Sequence, residues 1–537
     1  MPRLLPVLPL RSPRSFRPVL SLLLAAGLLG PVPPSVSLAT PVWAQSGSLP
    51  ALGDAAAEDL TVGAERRLGE RIMREIRRDP DVLDDAVLRD YVDDLWQPLL
   101  AAARTRGELT DDQREHFAWR TFLVRDRSVN AFALPGGYVG VHLGLIAMTG
   151  SRDELAAVLA HELSHVTQRH IARSLASSRR SSMIGLASMI AGVLVASRSP
   201  EAANAMIAGG QAVSVQGVLN FSRDMEREAD RVGFGVLDAA GYGPAGMAGM
   251  FERLQTASRL NDSGQFPYLR THPLTAERIA EAQARLGPPG PAVVPAVTRA
   301  TWLHAAMQGR ARGLMDGRTE ALQRLAGGGV PTAAAAAATP EALATACAAA
   351  VAAGRLQQWS VADAALGRAR ALAASQGEAV QRAVRTLQIE SLLDRGSAAE
   401  AARLLGGSGL DGSRAGLLLA ARVAAAPAAE RVQIERSREA LQTWLSAHPD
   451  DGSAWLALAD LDERQGHALA ALRDQAEARY VVGDLPGATD RLRAGQRLAR
   501  SRGAVESIDG IVIESRLKAI EQQRRIEMEQ ERNGSRD

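Results

Sequence analysis

The pentapeptide His161-Glu162-Leu163-Ser164-His165 constrains this chain more than any other feature. On an α-helix, residues four apart share a face, so both imidazoles can reach one metal ion while the Glu162 carboxylate faces the water that ion would hold. A chain of 537 residues meets this pattern by chance about once in a hundred, so its surroundings must decide. They favour a helix: Ser151-Arg152-Asp153-Glu154 is a capping box, and Leu155, Val158, Leu159, Leu163 and Val166 recur at helical spacing as a buried stripe. Zinc commonly takes three protein ligands and leaves one position for water, so a third ligand must arrive from elsewhere. The best source is Phe221-Ser222-Arg223-Asp224-Met225-Glu226-Arg227-Glu228-Ala229-Asp230, a second polar helix. Glu226 and Asp230 share a face there. Glu226 is assigned to the metal, and Asp230 to the free N–H of a metal-binding His, fixing its tautomer. Glu228 points away and is expected to be solvated.

His161-Glu-x-x-His165 followed by Glu226-x-x-Ala229-Asp230 resembles the HtpX and CAAX-protease family of zinc peptidases, in which the downstream Glu is the third ligand. The blocks His161-Glu-Leu-Ser-His-Val-Thr-Gln-Arg-His170, Leu134-Pro-Gly-Gly-Tyr-Val-Gly-Val-His142 and Thr271-His-Pro-Leu-Thr-Ala-Glu-Arg-Ile279 resemble, more narrowly, its BepA (YfgC) type of periplasmic protease. The resemblance runs from about Leu60 to Arg285 and more loosely through the rest. It implies that His272 can take the place of the attacking water and hold the enzyme silent. It also implies clients among stalled or misfolded outer-membrane β-barrel proteins, with the β-barrel assembly machinery as partner.

The N-terminus suits an exported protein. Arg3, Arg11, Arg14 and Arg17 precede an apolar core, Val19 to Gly30, and Val42-Trp43-Ala44 forms a small-residue cleavage site before Gln45. Residues 1–44 are therefore expected to be a cleavable signal peptide and 45–59 a linker. The formal charge of +2 includes those arginines, and without the leader the chain is near −2, which gives no electrostatic support for a nucleic-acid role. Lys518 is the single lysine, a bias read as codon usage rather than function. Cys347 stands alone, so no internal disulfide is available.

A chain of this length should hold more than one domain. Gly287-Pro288-Pro289-Gly290-Pro291, extended to Pro295, marks a Pro/Gly linker over 287–299. Before it, 60–286 is expected to be an α+β zinc metalloprotease domain, gluzincin-like and mainly helical with a small sheet. After it, 300–505 is expected to be an all-α TPR-like helical repeat domain, followed by a charged, solvated helical tail over 506–537. Trp455, Leu458, Ala459, Gly466 and Ala471 approach tetratricopeptide spacing. Helix pairs are expected at Leu343–Leu372, Ala383–Leu405, Leu417–Leu445, Trp455–Leu472 and Gln475–Leu498, with a loop from Gly327 to Thr339.

Thr121 to Val124, Ala131-Phe132-Ala133 and Tyr138-Val139-Gly140-Val141 are expected strands, the last two joined by a turn at Pro135-Gly136-Gly137. Tyr138, Val139, Gly140 and Val141 are the candidate edge strand that would hold an extended substrate by backbone pairing beside the zinc. His142 and His170 are expected to be structural, and His116, His304, His448 and His467 lack metal spacing. Met183 to Ala196 is apolar but shorter than the roughly 20 residues of a membrane span, so a buried helix under the cleft is favoured over a membrane-dipping cover. Pro200 to Gln216 would be a mobile lid.

These features point to a periplasmic zinc endopeptidase, one Zn2+ per chain, with Glu162 as general base. A chaperone or adaptor that rarely cuts is the alternative. A membrane-embedded protease would need long apolar spans, and none follows Ala44.

Overall fold

A computed structural model describes residues 60–177, 222–260, 266–287, 298–328, 338–406, 412–427 and 429–534. The expected signal peptide and 45–59 linker, Met183–Ala196, Pro200–Gln216 and most of the expected Pro/Gly linker lie outside the described residues. Among those residues no helix is long and apolar enough to cross a membrane.

The first half is mainly helical around one small sheet. Its elements run α1 (Val62–Ile76), β1 (Val82–Leu83), α2 (Ala86–Thr105), α3 (Asp111–His116), β2 (Arg120–Val124), β3 (Ala131–Leu134), β4 (Tyr138–His142), α4 (Leu143–Met148), α5 (Arg152–Thr167) and α6 (His170–Ser177). Then come α7 (Arg223–Ala239), α8 (Ala245–Leu260), α9 (Pro267–Thr271) and α10 (Ala276–Arg285). β3 and β4 form the expected hairpin, and its turn places Gly136 and Gly137 at φ +76° and +86°, where side chains are strained. The turn rests on α1 at Gly69, where a Cβ would collide with the Pro135 carbonyl oxygen.

The strand order is β1-β2-β4-β3, with β2 parallel to β4 and β3 antiparallel to it. This corrects the expected edge strand. Tyr138, Val139, Gly140 and Val141 lie inside the sheet, pairing with Arg120–Leu123 on one side and Ala131–Leu134 on the other, so their backbone groups are committed. The edge next to them is β3. On one face Leu123, Ala131, Ala133, Val139 and Val141 pack with α2 and α5; on the other, Phe122, Phe132, Leu134 and Tyr138 meet Leu68, Ile72 and Met73 of α1.

Helix α5 begins where expected, with Ser151 Oγ accepting from the Glu154 amide at 3.1 Å. The capping box is only half formed, because the Glu154 carboxylate instead accepts from Gly150 N at 2.6 Å and pairs with Arg253. From Glu154 to Thr167 the helix is buried on all sides.

The second half is all helical: α11 (Arg299–Leu314), α12 (Thr319–Gly328), α13 (Pro340–Arg355), α14 (Trp359–Ala373), α15 (Glu378–Asp394), α16 (Ala398–Gly406), α17 (Arg414–Ala424) and α18 (Arg431–Ala447). It ends with α19 (Gly452–Arg464), α20 (Ala468–Val481), α21 (Leu485–Ser501) and α22 (Ile508–Gly534). From α13 onward each helix packs on its successor. The first three expected pairs become α13–α14, α15–α16 and α17–α18. The last two shift, since α20 runs unbroken across the boundary expected between Leu472 and Gln475. Gly466 makes the turn between α19 and α20 at φ +80°. The expected 327–339 loop has helical ends, with Gly327 and Gly328 inside α12 and Thr339 capping α13. The tail is not wholly solvated either, because Ile513, Leu517 and Ile520 are buried against α21.

The two halves share one core. Trp302, Ala306 and Met307 of α11 pack in the same cluster as Leu143, Leu145 and Ile146 of α4 and Leu155 and Leu159 of α5. Polar contacts align this seam. Tyr91 OH lies 2.6 Å from His304 Nδ1, and His304 Nε2 lies 3.0 Å from the Thr149 carbonyl. Arg310 bridges Asp85 and Glu390, and Arg414 bridges Asp84 and Asp451.

Between α19 and α20 two fully buried carboxyl groups, Asp462 and Asp474, face each other, with Arg438 on the first and Arg473 on the second. Burial pushes Asp474 up to about 7; Arg473 opposes the shift and Asp462 adds to it. A carboxyl whose folded pKa is raised binds more protons folded than unfolded, so stability falls as pH rises from about 4 to about 7 and levels off above. Asp474→Asn is therefore expected to leave stability unchanged at pH 4 and raise it by up to about 4 kcal/mol at pH 8, measured by denaturant unfolding. Equal effects at both pH values would contradict this.

Candidate metal centre

Helix α5 carries His161, Glu162 and His165 into the interior, and α7, capped by Ser222 Oγ on the Met225 amide, lies alongside it. The close approach occurs at Gly233, where a Cβ would stand 3.1 Å from the Ala160 carbonyl. One and two turns earlier on α7, Asp230 and Glu226 face the two histidines. His272, at the end of α9, completes the group. Donor atoms of His161, His165, Glu226 and His272 all lie within 4.8 Å of one another, and all four residues are buried.

The separations are specific. His161 Nε2 lies 3.0 Å from His165 Nε2 and 3.4 Å from His272 Nδ1. Glu226 Oε1 lies 3.4 Å from His165 Nε2 and 2.9 Å from His272 Nδ1, and its Oε2 lies 3.5 Å from His161 Nε2. Ligands about 2.0–2.1 Å from a tetrahedral zinc stand about 3.3 Å apart, which is the spacing found here. Beside the cluster, Glu162 is fully buried and neither carboxylate oxygen has a hydrogen-bond partner; His272 Nε2 stands 3.5 Å from Oε1. A buried carboxylate without hydrogen bonds is costly to keep, so this arrangement suits a metal and a bound reactant rather than a core left to itself. The residues present fit a zinc ion.

Electrostatics point the same way. Burial would raise the Glu226 carboxyl, but His272, His161 and His165 outweigh it and hold it far below the usual range. His161 is held up to about 10, because Asp230 and Glu226 overcome burial. His165 is pushed well below its usual value by burial, with Glu226 opposing. The two imidazoles differ because both Asp230 and Glu226 offset burial at His161, whereas at His165 Glu226 alone opposes burial and His161 and His272 add to it. A field that favours an imidazolium also favours a metal cation.

Asp230 sits where the sequence places it, with Oδ1 2.9 Å from His161 Nδ1. What fixes Asp230 escaped sequence reasoning. Buried Arg278 donates to both its oxygens at 2.6 and 2.8 Å, and its Nη1 lies 2.8 Å from Glu226 Oε2. The signal was an arginine on the same face of α10 as buried Ile279 and Ala282. Tyr268, also missed, is buried and stacked on His272 with ring centroids 4.6 Å apart. Glu228 corrects another expectation: it is half-buried and accepts from Arg173 at 2.8 Å, with His170 Nε2 3.1 Å away. His142 bonds Ser128, His304 joins the seam, His448 stacks on Trp444, His467 faces Asp462, and His116 pairs with Asp112, all apart from the cluster.

The pattern of Peptidase family M48 matches residues 102–286, which contain the whole cluster. Over 261 residues the chain is 33% identical to the beta-barrel assembly-enhancing protease of Escherichia coli K12, covering 48% of this chain and 52% of that protein. A Vibrio cholerae protein given the same name provisionally is 38% identical over 263 residues, covering 49% and 51%. The mitochondrial metalloendopeptidase OMA1 of Arabidopsis thaliana is 30% identical over 187 residues, covering 35% and 36%. The chain thus spans about half the length of the curated beta-barrel assembly-enhancing proteases it matches, and the matched part is similar to an M48 peptidase domain.

Proposed function

We propose that this M48-type chain is a zinc-dependent endopeptidase of the periplasm that degrades or assists misfolded or stalled outer-membrane β-barrel proteins. The observation that carries the reading is the buried cluster of His161, His165, Glu226 and His272 with the Glu162 carboxylate, which has no hydrogen-bond partner, at its side. His161, His165 and Glu226 would hold the metal. A bound zinc ion supplies Lewis acidity and brings the pKa of the attacking water toward 7. Glu162 takes the proton from that water and passes it to the leaving amine. Asp230, held by Arg278, keeps the His161 ring in the tautomer whose Nε2 lone pair faces the cluster. A chaperone that never cuts gains nothing from a buried carboxylate without a hydrogen bond, which argues for turnover.

The substrates and location rest on the relatives' names and the expected signal peptide. The helical array, read as TPR-like, would present a concave surface to unfolded chains or to the assembly machinery. An extended substrate would have to pair with β3, whose four residues are all buried, so a neighbouring segment must move first. Purified chain should bind one zinc and digest casein; a chain that takes up no metal, or loads zinc without cutting unfolded protein, would overturn the reading.

His272 would be the resting fourth donor, stacked on Tyr268 and already 2.9 Å from Glu226. Replacing it with Ala should leave zinc bound through the other three and raise basal casein cleavage by about 10-fold, since water cannot be activated while that position is filled. Activity at or below the starting level would count against the latch.

A further inference from the structure

His161 and His165 are supported differently from behind. Asp230 stands directly at His161 Nδ1, whereas His165 Nδ1 meets another imidazole, His170 Nδ1, 2.8 Å away, with the rings at 75° and centroids 4.9 Å apart. Two ring nitrogens at that distance need one hydrogen and one lone pair between them. His165 Nε2 faces His161 Nε2 and Glu226, so its lone pair belongs to the cluster and its hydrogen sits on Nδ1. His170 Nδ1 must therefore accept, and its own hydrogen must be on Nε2, which points at Glu228 Oε2 3.1 Å away. Arg173 Nη1 holds that carboxylate oxygen at 2.8 Å.

We infer that Glu228 and His170 are positioning residues for the metal site, a two-step relay that fixes the tautomer and ring plane of His165 as Asp230 does for His161. The backbone is shaped for it. Arg169, between α5 and α6, adopts φ +52°, a left-handed conformation that is costly for a side-chain-bearing residue, and it folds His170 back over His165. The Arg169 guanidinium is anchored on buried Glu65 of α1 at 3.0 Å, so the turn is braced from outside the cluster. Glu228 would fit solvated helix surface on sequence grounds, yet it closes the relay with its half-buried carboxylate.

The inference rests on the metallopeptidase reading above, and one titration separates the two. Zinc affinity is measured on metal-free protein by competition with a chromophoric chelator, alongside the visible spectrum of the cobalt(II)-loaded form and the melting temperature of the metal-free form. His170→Leu should weaken zinc binding about 10–100-fold and alter the cobalt spectrum, with the metal-free melting temperature changed little. His170→Asn, whose Oδ1 can accept in place of Nδ1, should recover most of the affinity. Glu228→Ala should lose about 10-fold. Should His170→Leu fail to fold, Glu228→Ala decides alone: a loss supports the relay and wild-type affinity refutes it. Unchanged affinity and spectrum in His170→Leu, or Asn no better than Leu, overturns the relay while leaving the peptidase reading intact. Failure of the wild-type chain to bind zinc overturns both.

Discussion

Glu162→Gln is expected to keep its metal and lose turnover by about 10²–10⁴-fold, the usual contribution of a positioned general base. The amide fills the same space, so His161, His165 and Glu226 stay where they are, but it cannot take a proton from water. Stability should hold or rise, because the change removes a buried carboxylate whose two oxygens have no hydrogen-bond partner. Peptide or casein turnover, metal content by mass spectrometry and thermal melting read the three quantities on one preparation. Residual activity within 10-fold of the starting chain, with zinc retained, would falsify the assignment of Glu162 as base.

The second large effect lies behind the ligands. Arg278 is the cation that Asp230 and Glu226 share, and all three are buried. Arg278→Met keeps the volume and removes the charge, leaving Asp230 and Glu226 in the interior of the metal-free protein with only the histidines of the cluster to compensate them. Loss of one member of a buried ion pair costs about 3–5 kcal/mol, against a total stability of about 5–15 kcal/mol. The metal-free variant should therefore unfold at much lower denaturant, and zinc should recover part of the loss by supplying positive charge to Glu226. Adding Asp230→Asn should restore stability in part, since it removes one of the two buried charges that Arg278 had balanced. A single variant as stable as the parent would mean that the Arg278 pair contributes nothing net.

Much of this centre was legible because its spacings are local. His161 and His165, and again Glu226 and Asp230, are four apart, and helical geometry alone puts each pair on one face. Gly136 and Gly137 likewise announce their turn. What could not be read depends on non-local pairing. Tyr138–Val141 has the composition of a strand, but its place between β2 and β3 follows from a parallel pairing that no sequence spacing specifies. Glu228 does point away from Glu226; only the position of α6 decides that it meets His170 and Arg173 there. The register of the last helix pairs slipped because α20 carries little amphipathic contrast, with Ala470, Ala471, Ala476 and Ala478 among its buried residues.

The core shared by α4, α5 and α11 also has a consequence in time. During synthesis the half that carries His161-Glu-x-x-His165 emerges first, yet Leu143, Leu145 and Ile146 gain their apolar neighbours Trp302, Ala306 and Met307 only when α11 arrives. Tyr91 and the Thr149 carbonyl wait likewise for His304. The half that holds the His161, His165, Glu226 and His272 cluster therefore completes its core only with helices that follow it in the chain, and a fragment ending before α11 would leave that core open.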